Sequence, residues 1–178
     1  TTETFVALKV EVDNWRWAGV PFYLRTGKRL AKKHSEIVIQ FKSVPHAIFN
    51  GGSYDTLPNQ LSIMLQPDEG IKLTIMAKEP GSGGFDLKPV SLDLSFEETF
   101  GVRYPDAYER LLIEVMRGNP ALFMRRDEIE TAWQWIDGVF KGWRESRQKL
   151  ETYVAGTWGP GGSSMMLDRD GRAWQSGN

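Results

Sequence analysis

The chain contains no cysteine, which excludes a disulfide framework and a thiolate metal site and is compatible with a reducing, cytoplasmic location. Its two histidines, His34 and His46, lack HExxH-type spacing, so we expect two surface histidines and no metal site. No apolar run reaches the roughly 18 residues that a membrane helix needs. A net charge of -1 provides no broad basic field for nucleic acid. We therefore expect neither a membrane nor a nucleic-acid partner.

The composition is that of an ordinary folded protein. With 40% hydrophobic and 25% charged residues, the chain is expected to fold as one domain over residues 1–178. Its first eight residues lack the basic segment and apolar core of a signal peptide and already read as a strand. This start suggests a piece cut from a longer protein.

Alternation of apolar and polar residues dominates the first hundred positions and predicts strands with one buried face. The residues QPDEG at 66–70 contain the proline and glycine of a tight turn, which predicts an antiparallel hairpin. The alternating residues are Val6, Leu8, Val10 and Val12; Ile37, Ile39 and Phe41; Leu61, Ile63 and Leu65; Ile71, Leu73, Ile75 and Ala77; and Val90, Leu92, Leu94 and Phe96.

Helical periodicity follows the strands. One helix is predicted from Pro105 to Gly118, a short one begins at residues 119–120, and a long one begins near Asp127, with Glu130 completing a capping box. Trp133 and Trp143 lie on the apolar stripe of the long helix, which favours core packing. Residues 165–167 are predicted as a last short strand. Strands followed by helices indicate an α+β fold, a large mostly antiparallel sheet with helices packed on one face.

The basic run after residues 20–24 contains the strongest candidate site. Gly27 permits a turn with positive φ, after which Lys28 and Lys33 could reach one phosphate dianion. Lysine suits a phosphate monoester because its ammonium group is a compact point charge with three donors. The alternative is a solvated loop whose charges discourage edge pairing, and spacing alone favours that alternative.

Other candidate sites have weaker signals. The glycine-rich residues 81–84 lack both the strand–GxGxxG–helix context and a Walker lysine, so they are interpreted as a loop. Trp15 and Trp17 would project to the same side of an extended segment and are expected to seal the start of the second strand.

Several long motifs resemble one family. Residues 14–30 read NWRWAGVPFYLRTGKRL, and they are followed by LQPDE at 65–69, LDL at 92–94, DAYERLL at 106–112, and Tyr153 with GTWGP at 156–160. In this order they are similar to the half of bacterial-type glucose-6-phosphate dehydrogenases that follows the coenzyme domain. The similarity spans nearly the whole chain.

The resemblance implies a site and a reaction. Lys28 and Lys33 match positions that bind glucose 6-phosphate, and Gln66 matches a position near the substrate. In the family, hydride passes from C1 of glucose 6-phosphate to NADP, giving 6-phosphogluconolactone in the first step of the oxidative pentose phosphate pathway. The resemblance also implies a cytoplasmic homodimer or homotetramer assembled through the sheet.

The resemblance also implies what this chain lacks. The family's catalytic histidine lies in a His-Tyr-x-Gly-Lys motif, whereas here Ser35 follows His34 and Ala47 follows His46. No catalytic or cofactor-binding residue is therefore assigned. NADP is expected to bind mainly to an N-terminal domain absent from this chain, and the fragment is expected to be inactive.

Some family members hold a second, structural NADP on this half. Arg25 matches one position of that site, but Met64, Lys72 and Trp158 replace arginine, tyrosine and arginine. This pattern is typical of the bacterial-type enzyme, which lacks the second NADP.

A rival hypothesis is a stand-alone, non-catalytic binding or assembly module that uses the same sheet. The predicted strands carry Val38, Met64 and Met76 on their second side, which favours self-association under either hypothesis. An attached coenzyme domain upstream would favour the enzyme.

Overall fold

A computed structural model describes residues 2–45, 57–81, 86–101, 107–146 and 149–175. The chain divides into two compact units: the first is Thr1–Gly101 with Thr152–Asn178, and the second is Val102–Glu151. His46, the predicted helix start at Pro105 and residues 82–84 of the glycine-rich loop lie outside the described residues.

Antiparallel strands make up most of the first unit. They are β1 (Phe5–Val10), β2 (Phe22–Gly27), β3 (Ser35–Gln40), β4 (Gln60–Gln66), β5 (Gly70–Lys78) and β6 (Leu87–Ser95). β1 pairs with β2, and β3 to β6 form a four-stranded sheet in chain order. The α+β prediction and the β4–β5 hairpin are confirmed. The strands are divided between two sheets because residues 28–34 connect β2 to β3 without pairing them.

The four-stranded sheet has one aliphatic face. Its two cross-strand rows, here called the apolar face, are Ile37, Ile63, Ile71 and Leu94, then Ile39, Leu61, Leu73 and Leu92. Aliphatic pairs at these positions stabilise the register. Ile37 is 49% exposed and Leu92 58% exposed. The alternation therefore identified the apolar face correctly, and these two members of it are exposed.

The opposite face of the same sheet is mixed in polarity. Thr74 and Ser91 hydroxyls lie 3.3 Å apart, and Lys72 Nζ lies 3.8 Å from Asp93 Oδ1. Val38, Met64 and Met76 are half-buried on this side. The prediction that these three residues favour self-association is therefore weaker than the case for the apolar face.

The connection into β2 is a turn. The Asn14 side-chain oxygen accepts hydrogen bonds from the backbone N–H groups of Arg16 (3.1 Å) and Trp17 (2.9 Å). The Trp17 ring packs edge-on against Phe22 with centroids 5.3 Å apart, so its predicted sealing role is confirmed. The same prediction is wrong for Trp15, which is fully exposed because this segment is not extended.

Among the described residues of the first unit, two segments are helical, α1 (Phe96–Phe100) and α4 (Gly161–Asp168). The strand predicted at residues 165–167 is therefore wrong. Ser163, in the first turn of α4, donates its hydroxyl to the Pro160 carbonyl at 2.9 Å, and Trp174 Nε1 donates to the Ser163 carbonyl at 3.0 Å. Leu167 is 3% exposed, so this short apolar run is buried on one side of a helix.

The second unit contains α2 (Ala107–Arg117), a 3-10 helix (Pro120–Leu122) and α3 (Arg126–Ser146). Gly118, at φ 66°, ends α2 in the left-handed conformation that favours glycine. The capping box was predicted at Asp127 and Glu130, two residues too late. In the structure the Glu128 carboxylate accepts a hydrogen bond from the Arg125 N–H at 2.9 Å. Trp133 is 61% exposed, contrary to the prediction that it packs in a core. No described helix is long and apolar enough to cross a membrane.

Candidate functional site

The connection from β2 to β3 carries both predicted phosphate-binding lysines. Lys28 directly follows β2, and Lys33 lies two residues before β3. Both side chains are exposed. An extended chain advances at most about 3.6 Å per residue, so their Cα atoms lie within about 18 Å of each other. Among the described residues, neither ammonium group has a carboxylate within ion-pair distance.

The turn at residues 28–31 has its left-handed residue at Arg29, whose φ is 51°. The expectation of positive φ at Gly27 is wrong. Gly27 instead makes room for neighbours, because a Cβ there would lie 2.8 Å from Phe5 Cδ2 and 3.0 Å from Leu30 Cδ2. A left-handed non-glycine residue costs roughly 1–3 kcal/mol and persists where surrounding contacts hold it.

Those surrounding contacts come from the segment at residues 153–157. The Tyr153 hydroxyl donates to the Lys28 carbonyl at 2.6 Å. The Gly156 N–H donates to the Arg29 carbonyl at 2.9 Å, and the Ala31 N–H donates to the Thr157 carbonyl at 3.1 Å. Sequence reasoning missed this support, since the two segments lie more than a hundred residues apart. Tyr153 was part of a family motif, but it was assigned no role.

Lys33 lies close in the chain to the end of the four-stranded sheet at which Gln66 is found. Ser35, two residues after Lys33, is the cross-strand partner of Gln66 at the end of β4. The register shifts between Ser35 and Glu36, which marks a β-bulge beside this end. Gln66 is exposed. The structure therefore brings Gln66 close to the backbone of the connection that carries Lys33.

His34 is half-buried between these elements, with a side chain 22% exposed. Its Nε2 lies 3.3 Å from Glu36 Oε2, but no hydrogen bond of acceptable geometry forms there. The prediction of a surface histidine is therefore only partly met. Among the described residues, no three histidine, aspartate or glutamate side chains converge as metal ligands.

Arg25 joins β2 to the C-terminal residues of the first unit. Its guanidinium carbon lies 5.0 Å from the centroid of the Trp158 ring and 4.6 Å from that of the Trp174 ring. Such cation–π contacts are favourable because the indole face is electron-rich. Burial lowers the pKa of the Arg25 guanidinium, and the charge of Glu36 opposes the shift. Arg25 is therefore engaged with the protein itself.

A second link joins the two-stranded sheet to the residues after α4. Asp170 accepts hydrogen bonds from Lys9 Nζ at 2.7 Å and from the Tyr23 hydroxyl. Hydrogen bonding to Lys9 and then to Tyr23 lowers the pKa of the Asp170 carboxyl. The strand pair that precedes Lys28 is thus tied to the C-terminal residues at Lys9, Tyr23 and Arg25.

The connection from β2 to β3 carries two exposed ammonium groups, and the exposed Gln66 pairs with Ser35 just after it. Two ammonium groups and a carboxamide can bind an anionic, hydroxyl-rich ligand. Because several hydrogen bonds hold the Lys28 backbone, part of the candidate site is preorganised. Such a site orients a ligand and does not by itself transfer electrons.

The chain is similar to known proteins. A family model described as "Glucose-6-phosphate dehydrogenase, C-terminal domain" matches residues 1–175. A glucose-6-phosphate 1-dehydrogenase of Rhizobium meliloti is 58% identical over 173 residues, which cover 97% of this chain and 35% of the relative. The Mycolicibacterium smegmatis enzyme is 56% identical, with 99% and 35% covered. The chain thus spans about a third of the length of these relatives.

Solved structures give the same result. The crystal structure of glucose-6-phosphate 1-dehydrogenase from Mycobacterium avium is 36% identical with a TM-score of 0.79, covering 99% of this chain and 36% of that one. A glucose-6-phosphate dehydrogenase in complex with its substrate glucose 6-phosphate is 31% identical with a TM-score of 0.82, covering 97% and 35%. The chain therefore belongs to the family of glucose-6-phosphate dehydrogenase C-terminal domains.

Proposed function

We propose that this chain is the substrate-binding domain of an NADP-dependent glucose-6-phosphate dehydrogenase, folded as one domain over residues 1–178. In the proposed reaction the C1–H bond of glucose 6-phosphate breaks, its hydride passes to NADP and the C1 hydroxyl proton passes to a base. The products are 6-phosphogluconolactone and NADPH. Lys28, Lys33 and Gln66 hold the substrate, and the reaction takes place in the cytoplasm.

One observation carries this assignment. Two exposed ammonium groups, Lys28 and Lys33, lie on one seven-residue connection and have no carboxylate partner in the described part of the chain. A lysine that already pairs with a carboxylate, as Lys9 does with Asp170 at 2.7 Å, must give up that partner to bind an anion. Among the described residues, Lys28 and Lys33 have no carboxylate partner to give up, so anion binding does not carry this cost.

Gln66 has a different role in the proposal. Its side-chain amide provides both donors and an acceptor, as a sugar hydroxyl requires. The β3–β4 pairing between Ser35 and Gln66 keeps this amide at the same sheet end as the connection that carries Lys33. Charge would select the phosphate while the amide orients the sugar.

In the proposal, this chain does not supply the site for NADP. Arg25 matches a position that binds structural NADP in some relatives, but here its guanidinium lies over the Trp158 and Trp174 rings. When bound, NADP supplies the hydride acceptor. In the proposal it binds to a part of the enzyme that also provides the base, and this chain contributes substrate binding only.

The experiment compares the full-length enzyme that carries this domain with the 178-residue chain alone. The full-length enzyme is expected to form NADPH from glucose 6-phosphate, and glucose without the phosphate should be a much poorer substrate. The chain alone should form no NADPH under the same conditions. NADPH formation by the chain alone, or equal activity on the two sugars, would contradict the proposal.

Self-association through the four-stranded sheet is also part of the proposal. Its support is the exposure of the apolar face, including Ile37 at 49%, Leu92 at 58% and Leu94 at 43%. Exposed aliphatic side chains in neighbouring rows are typical of interaction surfaces. A homodimer or homotetramer would bury them.

Sedimentation of the full-length enzyme tests this interface. Leu92→Lys places a charge on the apolar face and is expected to weaken association by at least about 10-fold. Ser91→Lys is the matched control, since Ser91 is the preceding residue of β6 and belongs to the opposite face. Dissociation by Ser91→Lys with no effect of Leu92→Lys would mean that the other face is the interface.

A further inference from the structure

The backbone of Lys28 is held on both sides of its Cα atom. Its N–H donates to the Thr4 carbonyl at 2.8 Å. Its carbonyl accepts from the Tyr153 hydroxyl at 2.6 Å. Peptide groups are planar, so fixing the two peptide groups that flank Lys28 fixes its φ and ψ. The direction in which the Lys28 side chain leaves the backbone is then also fixed.

Tyr153 is placed to provide the second of these restraints. Its ring packs on Phe5 with centroids 5.5 Å apart. Its hydroxyl also lies 3.1 Å from the Thr4 carbonyl, the same carbonyl that accepts from the Lys28 N–H. One hydroxyl proton shared by two carbonyls is a three-centre arrangement. A single side chain thus holds the end of β2 and the residue before β1 together.

The left-handed conformation of Arg29 depends on this restraint. An arginine at φ 51° occupies a region that non-glycine residues seldom adopt without support. Without the Tyr153 hydroxyl, the peptide group between Lys28 and Arg29 would lose a hydrogen bond on its carbonyl. The turn could then relax toward a commoner conformation, which would rotate the Lys28 side chain away from its present direction.

We propose that Tyr153 is a positioning residue for substrate binding, which acts through the Lys28 carbonyl to aim the Lys28 ammonium group at the substrate phosphate. This inference rests on the proposed function. Tyr153 does not contact substrate in this scheme. Its contribution is to reduce the number of Lys28 conformations that must be given up when the phosphate binds.

The test uses Tyr153→Phe in the full-length enzyme. This change removes the hydroxyl and keeps the ring on Phe5, so the fold should be retained. KM for glucose 6-phosphate is expected to rise about fivefold to tenfold, in line with one lost hydrogen bond. The kcat and the KM for NADP are expected to stay within about twofold, because the hydroxyl touches neither the reacting atoms nor the coenzyme.

A control separates positioning from simple structural support. Ser163→Ala removes another hydrogen bond among the C-terminal residues, the one that the Ser163 hydroxyl donates to the Pro160 carbonyl at 2.9 Å. Neither residue contacts the turn at residues 28–31 through this bond. Ser163→Ala is expected to lower the melting temperature and leave KM unchanged. If Tyr153→Phe behaves in the same way, the hydroxyl has only a structural role and the inference is wrong.

A double-mutant cycle completes the test. If Tyr153 acts through Lys28, Tyr153→Phe should have almost no further effect on KM in a Lys28→Ala background, within about twofold. If the two substitutions raise KM independently, so that their effects multiply in the double variant, the inference is wrong. If Lys28→Ala itself leaves KM for glucose 6-phosphate unchanged, the proposed phosphate site fails. If Lys28→Ala raises KM for glucose 6-phosphate and Tyr153→Phe does not, the phosphate site is supported and the positioning role is wrong.

Discussion

Replacing Lys28 with alanine in the full-length enzyme is expected to lower kcat/KM for glucose 6-phosphate by about 10- to 100-fold, the range for losing a hydrogen bond to a charged group. Lys33→Ala is expected to act in the same direction. The KM for NADP should be unchanged by either substitution. Steady-state kinetics with each substrate varied in turn measures these constants.

Glucose provides the sharpest comparison for the two lysines. Because Lys28 and Lys33 are proposed to contact only the phosphate, their loss should leave kcat/KM for glucose unchanged and so reduce the preference for the phosphorylated sugar. Lys42→Ala is the matched control, since Lys42 is another exposed lysine and lies two residues beyond β3. An equal loss for glucose and glucose 6-phosphate would show that the lysines do not recognise the phosphate.

Gly159→Ala is expected to destabilise the chain by about 3 kcal/mol or more, the combined cost of a disfavoured backbone conformation and an overpacked neighbour. Gly159 has φ 106°. A Cβ there would lie 2.6 Å from Phe5 Cζ and 2.9 Å from Phe5 Cδ2. Urea denaturation of the chain measures the loss as a lower midpoint.

Gly156→Ala isolates the steric part of that effect. Gly156 has φ 86°, but a Cβ there would meet nothing within 4 Å. Its substitution should cost only the backbone strain of about 1–3 kcal/mol. Since Phe5 also packs on Tyr153 and beside Gly27, Gly159→Ala should additionally raise KM for glucose 6-phosphate. Equal destabilisation by the two alanines would mean that Phe5 yields to the methyl group without cost.

Much of the fold could be read from local pattern. The alternation at Leu61, Ile63, Ile71 and Leu73 predicted β4 and β5, and the turn residues between them predicted their antiparallel hairpin. Helix α2 ended at Gly118 as predicted. These features depend on residues a few positions apart, whose preferences are expressed in any compact structure.

Predictions failed where distant residues decide local structure. Residues 165–167 are part of a helix because Leu167 is buried there, and three apolar residues in a row do not distinguish a strand from a helix. The left-handed residue of the turn after β2 is Arg29 and not Gly27, because hydrogen bonds from residues 153–157 hold that turn.

By itself, the amino-acid sequence determined the family, the strand pattern and the two lysines as candidates for a phosphate site. Only the tertiary structure located the left-handed residue at Arg29 and joined Tyr153 to the Lys28 carbonyl. The physical reason is that hydrogen bonds between residues so far apart in the chain arise from how the strands and the C-terminal residues pack. Neighbouring residues determine which conformations are accessible, and packing selects among them.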